Sequence, residues 1–186
     1  METTGWNQKR ASIGRVKIRY SGSQADMNAT VLRLRVERLL GKVDLNPPGL
    51  AAGAVFIVRK LDSLAPVTLP AMAQPMHAAW SERLRDQMAA LYSRAARPAL
   101  GAYSPGASSV LFADPGEVLT CLTRDLLSGE AWHYWYWQQL LRNVPHNTGA
   151  ALTTLWSEQA TCVPTAIASL GPTEAHSAIA QLTVLE

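Results

Sequence analysis

From Arg15 to Tyr20 apolar and basic side chains alternate strictly, with Val16, Ile18 and Tyr20 on one side and Arg15, Lys17 and Arg19 on the other. A period of two predicts a half-buried strand over about residues 12–20 with a basic outer face. The period then changes. Leu32, Val36, Leu39, Leu40 and Val43 fall at helical spacing, which predicts an amphipathic helix whose neighbouring stripe carries Arg35, Arg38 and Lys42. Asn46-Pro47-Pro48-Gly49 breaks the chain, and the nearly continuous apolar run Ala54–Val58, closed by Arg59-Lys60, predicts a strand over about 54–60 covered on both faces. A right-handed βαβ unit is the simplest way to connect these three pieces.

Prolines 66, 70 and 75 make residues 62–75 an irregular connection. Trp80, Leu84, Met88 and Leu91 mark a helix of roughly residues 77–96, ended by Arg97-Pro98, and Ser109–Phe112 forms a short third strand. Helix-start signals coincide at Asp114-Pro115-Gly116-Glu117: a capping Asp, Pro at the first helical position, and Glu placed to complete a capping box. Val118, Leu119, Leu122 and Leu126 supply that helix's buried stripe, and Ser128-Gly129 its stop. A second helix, from about Glu130 to Asn143, is expected to carry Trp132-His133-Tyr134-Trp135-Tyr136-Trp137 and to end at Pro145. Shorter helical segments follow, with Leu152, Leu155 and Trp156, then Ile167 and Leu170, then Ile179, Leu182 and Leu185 as their apolar positions, separated by Pro164 and Gly171-Pro172. The pattern is α+β: a basic unit over 1–113 holding a small βαβ-containing sheet with packed helices, then an all-helical part over 114–186.

Charge adds a polarity to this plan. Residues 1–60 carry eleven of the seventeen Lys and Arg but four of the fourteen Asp and Glu, and no lysine follows Lys60. One half of the chain therefore faces an anionic partner more readily than the other. The 48% apolar composition supports a packed core. No secretory signal is readable at the start, and the longest apolar run, Leu50–Val58, is far below the roughly 20 residues that cross a bilayer, so a cytoplasmic protein without a membrane span is expected.

The search for chemistry excludes more than it finds. Neither GxxxxGK[ST] nor GxGxxG occurs, so a phosphate-cradling loop is not encoded in either familiar form. His77, His133, His146 and His176 are isolated from one another, and Cys121 and Cys162 have no ligand spacing and sit in apolar helical patterns, as structural thiols do. No metal, cofactor or catalytic residue is assigned, and an enzyme is not expected, an enzyme of unrecognised type being the second alternative. Asp114 and Glu117 are accounted for by capping, and Glu158 and Glu174 by solvated helix surface.

Two surfaces remain. The basic face of Arg15, Lys17, Arg19, Arg35, Arg38 and Lys42 suits a protein partner or, as the alternative, nucleic-acid phosphates; the plain reading is an edge kept soluble by charge. On a single helix, Trp132, Trp135, Tyr136 and Trp137 would point in several directions, more than one small core can cover, and Trp and Tyr are enriched at interface hot spots. The bland alternative is that the domain sandwiches the rings itself.

Ile13–Tyr20, Val31–Leu40, Pro47-Pro48-Gly49 and Val55–Leu61 together resemble the N-terminal segment of tape-measure proteins from phage-tail-like contractile injection systems. The run Trp135–Arg142, followed by short Leu/Ala helices punctuated by proline, is similar to the body of such proteins. The resemblance implies a non-enzymatic assembly component of a bacterial machine that contacts tube or baseplate proteins. Members of that family are generally much longer, so it does not carry over a length-measuring role.

Overall fold

The computed structural model describes residues 43–61, 74–101 and 106–183, together with single positions between 13 and 41. Apart from Ile13 and Gly14, neither of them in a strand, the expected strand over 12–20 lies outside the described residues, as do Arg15, Lys17, Arg19, Arg35 and Lys42. The chain is a mixed α+β protein with a helical C-terminal part, and it divides into two compact units.

The first unit holds Gly49–Lys60 and the residues from Leu91 onward. Strand β1 (Val55–Val58) pairs antiparallel with β2 (Ser109–Phe112), in the register Val55↔Phe112 and Ile57↔Val110. On β2 the side chains of Val110 and Phe112 are buried, and Val55 and Ile57 pack against the same core. Phe56, on the opposite face of β1, meets Tyr92 edge-on with ring centroids 5.6 Å apart, so the apolar run has cover on both sides. Ala96 flanks β2 on its other side through a single parallel bridge to Val110.

The second unit holds Ala11–Pro48 and Leu61–Ala90. Thr30, Leu34, Glu37, Arg38 and Leu40 are helical there, and the Gly41 N–H donates to the Glu37 carbonyl at 2.9 Å, an i→i+4 bond in the expected amphipathic helix. Arg38 is exposed. Helix α1 (Gln74–Ser93) buries Leu84 and Met88, as their spacing predicts. It ends earlier than the expected residue 96. Ser109 Oγ donates to the Leu91 carbonyl at 2.8 Å, satisfying an end-of-helix acceptor, and the chain then turns so that Ala96 can bond to β2.

Helix α2 (Pro115–Leu127) starts at its capping signals: Asp114 Oδ1 accepts from the Glu117 N–H at 2.8 Å, while Glu117 Oε2 accepts from the N–H of Ala113, one residue before the cap, instead of closing the expected box on Asp114 itself. Val118, Leu119, Leu122 and Leu126 are all buried, and Gly129 closes the helix with φ 80°, a left-handed conformation that glycine adopts without strain. Helices α3 (Thr148–Glu158), α4 (Val163–Ser169) and α5 (Pro172–Thr183) complete the core: α4 and α3 pack on α2, and α5 on α3. Pro164 lies within the first turn of α4, where a missing N–H costs nothing, instead of acting as a spacer. Among the described residues no helix is long and apolar enough to cross a membrane.

Candidate interaction surface

The segment between α2 and α3 overturns the expected helix over 130–143. Its backbone runs as successive turns. The Ala131 N–H reaches back to the Asp125 carbonyl at 3.0 Å, and His133, Trp137, Gln138 and Val144 donate to the third residue before them; Leu141 alone, donating to Trp137 at 2.8 Å, makes an i→i+4 bond. Helical geometry would aim Tyr136 and Trp137 about 100° apart. The turns instead let both enter one core, and aromatic residues, poor helix formers in any case, give up little by leaving the helix.

That change also alters which rings are available. Trp137 is fully buried, stacked on Phe112 with centroids 5.4 Å apart, and Tyr136 is 2% exposed and lies edge-on to Trp137 at 4.6 Å. Both were expected to face a partner; both belong to the core. The Trp137 indole N–H donates to Asp125 Oδ2 at 2.7 Å, which ties the segment to α2. Burial pushes the Asp125 carboxyl above its ordinary range, with the Trp137 N–H and then Arg124 pulling the other way. Tyr134 stacks on Tyr136 at 5.4 Å and is half-buried.

Trp132 and Trp135 are half-buried and His133 is exposed. Trp135 meets Tyr136 edge-on, carries the Arg59 guanidinium 6.0 Å from its ring centre, and has a buried indole N–H without a hydrogen-bond acceptor among the described residues. Trp132 stacks on the exposed ring of His146, with centroids 4.2 Å apart and planes 24° apart. Beside this stack lies an open cleft of about 240 Å³ lined by Ala131, Trp132, Gln138, Leu141, Arg142 and His146. Its volume is under the roughly 300–1,000 Å³ of typical small-molecule pockets.

No family model, curated protein or solved structure matches this chain. Among the described residues, no group of three or more His, Cys, Asp or Glu is placed to hold a metal ion. Gln138, Arg142 and His146, which line the cleft, carry no local sequence signal that would group them; a run of turns brings residues 131–146 around it, and turns leave no periodicity. Asp125 was equally inconspicuous. Its one signal is position, a lone carboxylate three residues after Leu122 and one before Leu126 on an otherwise apolar stripe.

Proposed function

We propose that this chain is a non-enzymatic interaction protein of a bacterial multiprotein assembly, acting in the cytoplasm and docking a partner protein through the half-exposed rings of Trp132, stacked on His146, and Trp135. The observation that carries this reading is the division of labour within the aromatic segment. Tyr136 and Trp137 are committed to the core, and they hold Trp132 and Trp135 half-exposed on a backbone anchored to α2 through Asp125. Large rings already held in place lose little freedom on binding, which is why such residues dominate interface energetics. The resemblance to tape-measure proteins supports a tube or baseplate protein of a contractile injection system as that partner. The alternative partner, a nucleic acid bound by the basic N-terminal face, draws its support from charge alone.

The test is affinity capture at moderate salt, comparing the intact protein with Trp132→Ala and Trp135→Ala after both variants are shown to be folded by near-ultraviolet circular dichroism. Loss of a specific co-purifying protein from either variant supports the reading. Equal recovery from both refutes it. Replacing Arg15, Lys17 and Arg19 with Ser addresses the alternative, because phosphate contacts weaken steeply between low and physiological salt.

A further inference from the structure

The cleft beside the Trp132–His146 stack has a chemistry of its own. Its floor is apolar, made by Ala131 and Leu141, both buried, and its rim is made by Gln138, Arg142 and His146, all exposed. Every polar side chain of the lining can donate a hydrogen bond, Arg142 brings a permanent positive charge, and none of the six residues is a carboxylate. Trp132 and His146 together make an aromatic wall along which an aliphatic stem can lie.

We infer that this cleft takes one acidic side chain, Glu or Asp, of the partner protein: the methylene stem against Trp132 and Leu141, and the carboxylate between the Arg142 guanidinium and the Gln138 and His146 donors. This rests on the docking reading above and specifies the chemistry that the docked protein must present. A guanidinium matches a carboxylate with two parallel hydrogen bonds, and an amide and an imidazole can occupy the remaining lone pairs. Nucleic acid fits less well. Binding a phosphate backbone requires several cations spread along a tract, and this lining holds one arginine.

The experiment is a titration of the full-length, ¹⁵N-labelled protein with the blocked peptide Ac-Ala-Ala-Glu-Ala-Ala-amide, its Gln analogue, and a short oligodeoxythymidine. The signals followed are the Trp132 indole N–H, assigned through Trp132→Phe, and the Arg142 Nε–H. The expected result is saturable movement of both signals by the Glu peptide, with the Gln analogue binding about tenfold more weakly, a difference that Arg142→Gln removes. Equal binding of the two peptides, or no movement at millimolar peptide, overturns the inference. Movement with the oligonucleotide and not with the Glu peptide overturns it in favour of nucleic acid. The capture experiment is scored separately: if Trp132→Ala still loses its partner while the peptides fail, the docking reading stands and the acidic side chain does not.

Discussion

The indole N–H of Trp137 donates to the carboxylate of Asp125 across 2.7 Å, joining the aromatic turns to the helix that precedes them. Replacing Trp137 with Phe keeps a ring against Phe112 but leaves the half-buried carboxylate without its donor. A loss of about 1–3 kcal/mol in urea unfolding is expected. Asp125→Asn keeps an acceptor oxygen for the indole and removes the charge that burial disfavours, so it is expected to match or exceed the parent at pH 7.

The same pair sets a pH dependence whose sign can be derived. Burial raises the Asp125 carboxyl above its ordinary value of 3.8, so the folded state takes up this proton more readily than the unfolded chain. The charge therefore weakens the fold above the raised value, and the penalty is relieved as pH falls through that value toward 3.8. The stability advantage of Asp125→Asn should accordingly shrink as the solution is acidified from pH 7 to pH 4. Chemical denaturation of both proteins along that series checks it, and an advantage that grows toward acid would contradict the assignment.

Trp156 on α3 donates its indole N–H to Thr123 Oγ1 of α2 at 3.1 Å, in a buried setting. Thr123→Val preserves shape and removes the acceptor. The orphaned N–H should lower stability by about 1–3 kcal/mol, whereas Thr123→Ser, which keeps the hydroxyl, should recover most of it. Thermal melts of the two variants distinguish a lost hydrogen bond from a lost methyl group.

Gly116 of α2 faces Thr165 of α4, and a methyl group there would lie 2.8 Å from Thr165 Cγ2 and 3.0 Å from the capping Asp114 Oδ1. Gly116→Ala should destabilise by about 1–2 kcal/mol through overpacking. Combining it with Thr165→Ala relieves the nearer clash, so the double variant is expected to unfold at higher denaturant than Gly116→Ala alone.

Cys121 lies in the buried face of α2, and burial, aided by Glu117, pushes its thiol up to about 12. Alkylation by iodoacetamide at pH 8 needs the thiolate. Native protein should therefore be labelled at the half-buried Cys162 and not at Cys121, with both labelled in guanidinium; peptide mapping by mass spectrometry reads the outcome. Early modification of Cys121 would show that α2 opens in the native state.

What could be read from the chain by itself was local and periodic. Asp114, Pro115, Glu117, Val118, Leu119, Leu122, Leu126 and Gly129 announced α2 from end to end, because capping, helix periodicity and a glycine stop are interactions within a few residues of one another. Ala54–Val58 and Ser109–Phe112 were legible as strands for the same reason, although their antiparallel pairing across more than fifty residues was not. Tertiary structure decided the aromatic segment. Residues 130–143 contain nothing that forbids a helix before Pro145, yet Asp125, the Phe112 ring and the walls of one core draw Tyr136 and Trp137 to the same side, a demand that helical geometry cannot meet. Contacts made by folding, between residues with no regular spacing, settled which rings went inside and left Trp132 beside His146 at the surface.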